Sequence, residues 1–209
     1  MDITSKSLHH SNIVFVFAEG KFLMPENAAI LSLYSGQMAA GATFADDVVL
    51  RTKVLDLPRL KLQIGVELNR LRVDDNSQQE PSETTLINEA FSVYHKLFPQ
   101  TPLTGLGFNF DIYYQFREYI RIKDFFELFT NSEILEKADL RDLGVQFTLE
   151  KEGGKKRETY FLKITAPLEM AVHINHHFAT TKIPNQPALQ KLFEKCYNET
   201  DEVIQNLQF

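Results

Sequence analysis

The sequence predicts an α+β fold, a largely antiparallel and strongly bent sheet with two long amphipathic helices packed on one side. Several stretches alternate apolar and polar residues, as half-buried strands do, and two others repeat apolar residues at helical spacing. Regular strand–helix alternation, which a doubly wound parallel sheet needs, is absent. The 209 residues fit a single domain, 1–209. A strand meander followed by a long helix occurs twice, which suggests a duplicated unit with halves 12–100 and 103–209.

The first stretch of the chain predicts a buried strand and a weak helix. Ile13–Ala18 is apolar at every position, which is typical of a central strand buried on both sides. A short returning strand is expected over Lys21–Met24. Pro25 suits a helix start, so a helix is expected over Pro25–Tyr34 with Gly36 as its stop. Small residues over 36–45 predict a loop.

Two strands are predicted next. Val48–Leu57 shows mixed alternation, and Leu60–Asn69 alternates apolar and polar residues strictly. The apolar positions change parity after Leu68. One extra residue in a strand changes parity in this way, so we expect a β-bulge or a bend near Asn69 and Arg70.

A long helix is predicted at the end of the first half. Residues 74–81 are polar and typical of a loop, after which Ser82 suits an N-cap. The helix would continue to Phe98, where Pro99 ends it. Its apolar face would consist of Leu86, Ile87, Ala90, Phe91, Tyr94, Leu97 and Phe98.

The second half predicts four more strands and a terminal helix. The strands are expected over Leu106–Phe116, Val145–Glu150, Arg157–Ala166 and Met170–Phe178. Gly153 and Gly154 suit a hairpin turn between the second and third of these. Short helices are expected over Ile122–Phe129 and Ser132–Ala138, and a long amphipathic helix from Pro187 to Leu207.

Composition excludes several classes of protein and favours a cytoplasmic one. With 22 basic and 28 acidic residues the net charge is −6, which disfavours binding to a phosphate backbone. The longest apolar run, Ile13–Ala18, is far shorter than the roughly 20 residues of a membrane-spanning helix. Met1–Asn12 is polar, so no secretory signal and no membrane association are expected. The single cysteine, Cys196, lies on the apolar stripe of the last helix and is expected to be a buried hydrophobe.

The histidines do not predict a metal site. His173 and His177 would share one face of a strand about 13 Å apart, at roughly 3.3 Å per residue, while His176 would point to the other face. We therefore expect no metal and no cofactor. Gly105 and Gly107 form a G-x-G that precedes a strand rather than a helix, so they indicate a bend, a bulge or the close approach of another backbone.

The most suggestive feature is a set of polar side chains on one face of three predicted strands. If these strands share a sheet, their amides, aromatics and histidines form one surface suited to adaptable hydrogen bonding. The candidate binding residues are Asn69, Asn109, Asp111, Tyr113, Gln115, His173, Asn175 and His177.

These observations favour a non-catalytic binding or assembly protein that acts through this polar sheet face or a sheet edge. We expect it to self-associate as a homo-oligomer or to bind a protein partner; a small-molecule ligand is left open. The first alternative is an enzyme that uses His173, His177 and Asp111. The second is a nucleic-acid-binding protein that uses the basic strands 51–72, through Arg51, Lys53, Arg59, Lys61, Arg70 and Arg72.

Overall fold

A computed structural model describes residues 2–120 and 144–207. Its strands are β1 (Ile3–Phe17), β2 (Thr43–Asp47), β3 (Thr52–Leu57), β4 (Leu62–Glu67), β5 (Arg70–Asp75), β6 (Leu103–Phe116), β7 (Gly144–Lys151), β8 (Lys156–Ala166) and β9 (Glu169–Ala179). Its helices are α1 (Asn27–Ser32), α2 (Ser35–Met38), α3 (Leu86–Leu97) and α4 (Gln186–Gln205). The nine strands form one sheet in the order β2-β3-β4-β5-β1-β6-β9-β8-β7, and every neighbouring pair is antiparallel. The predicted α+β class and antiparallel sheet are confirmed.

Strand β1 lies in the middle of the sheet between β5 and β6. It begins at Ile3, well before the predicted strand at Ile13, so residues expected to precede the sheet belong to it. Phe15 and its neighbours of the same parity are fully buried, whereas Val14 and Val16 are only half-buried. The prediction of burial on both sides is therefore wrong, because the second face of the strand is partly open to water.

Helices α3 and α4 cover one face of the sheet, which we call the inner face. They contact each other, α3 contacts β5 and β1, and α4 contacts β6. The ring of Phe17 lies 4.6 Å from that of Phe98, and the ring of Phe110 lies 4.9 Å from that of Phe193. The hydrophobic core therefore fills the space between these helices and the sheet, and the opposite, outer face carries the polar side chains. Within residues 2–120 and 144–207, no helix is long and apolar enough to cross a bilayer.

The region between β1 and β3 differs most from the sequence prediction. Lys21–Met24 forms no strand, and α1 is shorter than the predicted helix. Gly36 lies inside α2 rather than ending a helix. Strand β2 falls partly in the predicted loop 36–45, because its pairing with β3 supplies backbone hydrogen bonds that its own small residues do not predict.

Two segments that the sequence predicts as strand or bulge are turns in the structure. Val48–Arg51 joins β2 to β3, so the predicted strand over Val48–Leu57 is confirmed only from Thr52 onward. Leu68 and Asn69 join β4 to β5 where a bulge was predicted, and the next strand runs back antiparallel. A two-residue turn changes the parity of apolar positions as one extra residue does, so the pattern alone did not separate them. Leu68 adopts φ +48° there.

At the start of each long helix, a polar side chain accepts a hydrogen bond from a backbone N–H. Helix α3 begins at Leu86, whose backbone N–H donates to Thr84 Oγ1 at 3.0 Å, so Ser82 is not its N-cap. Helix α4 is capped by Asn185, whose side chain accepts from the backbone N–H of Ala188 at 3.0 Å.

The predicted strands and terminal helix of the second half are confirmed to within a few residues. The short helices predicted over Ile122–Phe129 and Ser132–Ala138 lie outside the described residues.

Candidate functional site

The outer faces of β5, β1, β6 and β9 form one continuous polar surface, which we call the polar face. The antiparallel register places its side chains opposite one another across neighbouring strands. The residues of the polar face are His10, Asn12, Arg70, Arg72, Asp74, Asn109, Asp111, His173, Asn175 and His177. The predicted strands that carry Asn109, Asp111 and the histidines thus share one sheet.

Three asparagines form a hydrogen-bonded row across the middle of the polar face. Asn12, Asn109 and Asn175 are opposite one another on β1, β6 and β9. Asn109 Nδ2 donates to Asn12 Oδ1 at 2.6 Å, and Asn175 Nδ2 donates to Asn109 Oδ1 at 2.5 Å. Because each amide is oriented by the next, the row presents fixed donors and acceptors rather than freely rotating side chains.

A second row alternates carboxylates and imidazoles. His10 Nε2 lies 3.1 Å from Asp74 Oδ1, and its Nδ1 lies 3.0 Å from Asp111 Oδ2. His173 Nδ1 lies 2.6 Å from the other Asp111 oxygen, Oδ1. A register shift between Leu8 and His10 in β1 places His10 opposite Asp111 on the outer face.

The charges of this row follow from its hydrogen bonds. Those from His10 to Asp111 and Asp74 raise the pKa of His10 to about 9, although burial opposes this. Burial alone would raise the pKa of Asp111, but hydrogen bonds from His10 and His173 hold it well below its usual value. At neutral pH a protonated His10 therefore lies between Asp74 and an ionised Asp111.

A groove of about 450 Å³ crosses the polar face beside these rows; we call it the central groove. Val14, Val16 and Gly107 belong to its lining and give it apolar surface. Its polar lining residues are Asn12, Glu67, Arg70, Arg72, Asn109, His173, Asn175 and His177.

Gly105 allows the His177 ring to lie close to β6. A Cβ at residue 105 would lie 2.6 Å from His177 Cε1, too close for a carbon contact. The predicted close approach at this glycine therefore involves mainly a side chain, not another backbone. At Gly107 an added Cβ would meet its nearest atom at 3.6 Å, so that position tolerates a methyl group.

The two arginines of the groove differ in their partners. Arg72 Nε donates to Asp74 Oδ2 at 2.9 Å, and Arg72 Nη1 lies 3.8 Å from Glu67 Oε1. Arg70 is exposed and has no ion pair among the described residues. Burial, and then the charges of Arg157 and Arg70, lower the pKa of His177, which is therefore neutral at pH 7. As far as the structure describes the chain, the groove thus offers one guanidinium without an ion pair beside an uncharged imidazole.

Some predicted site residues lie elsewhere. Asn69 is in the turn between β4 and β5, where its Nδ2 donates to the Phe17 carbonyl at 3.0 Å. Tyr113 packs on His9 with ring centroids 4.2 Å apart. Gln115 Nε2 donates to a Glu169 oxygen at 2.6 Å. These three predicted residues do not line the central groove.

Two of the three residues named for the enzyme alternative contact each other in the structure. Asp111 and His173 are hydrogen-bonded, whereas His177 lies on the far side of Asn175.

The six basic residues of the nucleic-acid alternative do not form one row on the sheet. Lys53 is opposite the buried Val66 and donates to the Pro25 carbonyl at 2.8 Å.

Sequence reasoning missed several residues of this surface. The sequence predicts a polar segment before the sheet for His10 and Asn12, because residues 2–12 hold only two apolar residues, Ile3 and Leu8, too few to show the alternation of a strand. Asp74 was assigned to a loop, yet it belongs to β5 and binds His10.

Comparison of the chain with protein-family models, curated proteins and solved structures finds no match.

Proposed function

We propose that this protein is a non-catalytic binding protein whose central groove holds a small organic anion. The observation that carries the proposal is the free guanidinium of Arg70 on the rim of a groove whose other polar side chains are largely fixed by one another. Preorganised donors bind a ligand without first losing conformational freedom.

The two kinds of lining define the class of ligand. Arg70 supplies a cation for a carboxylate or phosphate group, and the neutral His177 supplies a hydrogen bond beside it. Val14, Val16 and Gly107 supply apolar surface for a short carbon skeleton. A volume of about 450 Å³ is within the range of small-molecule sites.

The test is a titration of the protein with a panel of small mono- and dicarboxylates and phosphorylated compounds, followed by NMR shifts and thermal melting. We expect at least one compound to bind, and Arg70→Gln to abolish that binding. Arg59→Gln is the matched control, because Arg59 is in the turn between β3 and β4 and does not line the groove.

Two glycine variants locate the ligand more finely. Gly107→Ala adds a methyl group to the groove lining at a tolerated distance, so binding should weaken while the fold persists. Gly105→Ala should displace the His177 ring, so the ligand loses its hydrogen bond to this imidazole and binding weakens. Binding that survives Arg70→Gln and both glycine variants would place the ligand elsewhere and contradict the proposal.

A second candidate function is acid–base catalysis by the Asp111–His173 pair. The observation that favours it is the 2.6 Å contact that orients His173, whose side chain is 49% exposed. His173→Asn separates the two functions. A binding protein returns every bound compound chemically unchanged, whereas an enzyme converts a bound compound and loses that turnover in this variant.

Assembly is the other part of the proposal. Strands β2 and β7 are the ends of the described sheet, and a second copy or a protein partner would pair with one of these edges. Light scattering after size exclusion tests self-association, which is contradicted if the protein stays monomeric at high concentration. The duplication of halves 12–100 and 103–209, the amphipathic character of the helices and the cytoplasmic location stay predictions.

A further inference from the structure

A second group of polar side chains is buried on the inner face, beneath α4. We call it the inner cluster, and its members are Lys156, Glu158, His176, Cys196 and Glu199. Glu158 and His176 are opposite each other on β8 and β9. Cys196 and Glu199 are three residues apart on α4, so they lie on one side of that helix.

Within residues 2–120 and 144–207, neither ring nitrogen of His176 has a hydrogen-bond partner, although the side chain is 0% exposed. The nearest carboxylate oxygen, Glu158 Oε1, is 3.5 Å from Nδ1. Burial lowers the pKa of His176, so the ring is neutral and holds one N–H and one lone pair. Buried polar atoms nearly always have a partner, so this ring indicates a missing one.

The neighbours of His176 suggest what that partner is. The ligand atoms of His176, Cys196 and Glu199 all lie within 4.8 Å of one another. Imidazole, thiolate and carboxylate are the side chains that bind Zn²⁺ in proteins. We propose that His176, Cys196 and Glu199 form a buried site for a divalent transition metal of the zinc class.

Glu158 fits the role of a positioning residue in this site. Its Oε1 faces Nδ1 of His176 across 3.5 Å, which leaves Nε2 for the metal. Histidine ligands usually donate their second ring nitrogen to a carboxylate, which fixes the ring and increases its basicity. Tyr160 Oη donates to the other oxygen of Glu158 at 3.2 Å and helps to hold it.

The charges of the inner cluster also favour a bound dication. Two carboxylates, Glu158 and Glu199, face one buried ammonium, that of Lys156. Lys151 also contacts Glu158, at 2.8 Å, but is 41% exposed and therefore screened by water. Glu158, Glu199 and Lys156 together carry a net charge of −1, while Glu199 is 23% exposed and also lies 3.5 Å from the exposed Lys195 ammonium. A dication together with the Cys196 thiolate adds one positive charge in total and brings this set to neutrality.

Lys156 limits which oxygen of Glu199 is available. Its ammonium contacts Glu199 Oε2 and lies 2.7 Å from Glu158 Oε1. Glu199 Oε1, which lies 3.5 Å from the exposed Lys195 ammonium, is then the oxygen assigned to the metal. Because metal binding displaces the proton of the Cys196 thiol, affinity should fall as pH falls.

The experiment uses the untagged full chain and Co²⁺ or Zn²⁺ alone as the probe. After chelator treatment, Co²⁺ titration should saturate at one ion per chain with the charge-transfer absorption of a cobalt–thiolate bond. Zn²⁺ should displace the cobalt and raise the melting temperature. The absorption should be absent in Cys196→Ser and in His176→Gln, and Glu158→Gln should weaken binding by about 10- to 100-fold.

Controls separate this site from the polar face. His173→Asn and Glu202→Gln remove a histidine and a carboxylate outside the inner cluster and should leave cobalt binding unchanged. Melting in chelator shows whether each variant is folded, and Glu199→Gln supplies a second test if Cys196→Ser unfolds. Failure of wild-type protein to bind cobalt, or binding without the thiolate absorption, overturns the proposal. So does loss of binding in His173→Asn.

Discussion

The polar face and the inner cluster place the same kinds of side chain in opposite situations. On the polar face, His10 lies between two carboxylates and is protonated at neutral pH. In the inner cluster, His176 is fully buried and neutral, and no described residue is hydrogen-bonded to its ring nitrogens. Within β9, His176 points to the inner face and its neighbour His177 to the outer face. The position along the strand therefore decides which histidine meets water. Residue type alone therefore says little about what a histidine does in this protein.

The largest expected effect comes from breaking the buried ion pairs. In chelator-treated protein, Lys156→Met leaves Glu158, which is 0% exposed, without its closest cation. We expect a loss of about 3 to 5 kcal/mol in the free energy of unfolding, measured by urea denaturation.

Lys151→Met is the matched control for that variant. Lys151 contacts the same carboxylate at 2.8 Å but is 41% exposed. Its loss should cost at most about 1 kcal/mol. Equal losses in the two variants would mean that burial does not distinguish these ion pairs, contrary to the comparison.

The next effect is a pH dependence with opposite signs in the two regions. The pKa of His10 is raised from 6.5 to about 9 on folding, so its contribution is fully present below pH 6.5 and is lost as pH rises through 9. We expect wild type to exceed His10→Gln by about 2 kcal/mol in unfolding free energy at pH 6, with the difference vanishing toward pH 10. Chemical denaturation across this range measures it.

In metal-free protein, His176 should give stability a pH dependence opposite in sign to that of His10. Burial lowers its pKa on folding, so the unfolded chain binds more protons just below pH 6.5. Stability contributed by the neutral ring is therefore lost as pH falls below 6.5, and His176→Gln should remove that acid sensitivity. The same sign of pH dependence at both histidines would contradict the assigned protonation states.

The smallest effect concerns the asparagine row. Asn109→Ala removes two hydrogen bonds and leaves Asn12 and Asn175 without their partner, so we expect a loss of about 1 to 2 kcal/mol in unfolding free energy. Asn198→Ala, at an exposed position of α4, should instead raise stability by a few tenths of a kcal/mol through helix propensity. If both variants behave alike, the row does not stiffen the polar face.

Much of the second half of the fold could be predicted from local patterns. Strict alternation over Leu106–Phe116 and Met170–Phe178, and the helical apolar stripe after Pro187, correspond to single elements of the structure. These segments are long, and each keeps one period, so the periodicity is unambiguous. The alternation also placed His176 opposite to His173 and His177, as the structure does.

The first half was harder to predict because its signals are short or interrupted. Strand β2 is recognisable only through its pairing with β3, and the turn at Leu68 imitates a bulge. The candidate site was found in part, since alternation put Asn109, Asp111 and Asn175 on one face. His10 and Asp74 were missed because strand order is not written in local sequence, and only β1 between β5 and β6 brings them together.

The position of β1 also affects how the chain folds during synthesis. Its two partners in the sheet follow it in the sequence at very different distances, β5 after a modest interval and β6 only after α3. On the ribosome, one side of β1 can pair as soon as β5 emerges, while its other edge, which includes the apolar segment Ile13–Phe17, waits for Leu103–Phe116. During that interval the nascent chain exposes an unpaired apolar strand edge that can pair with other chains. Chaperone binding or slowed translation would therefore have its largest effect on aggregation before β6 is synthesised.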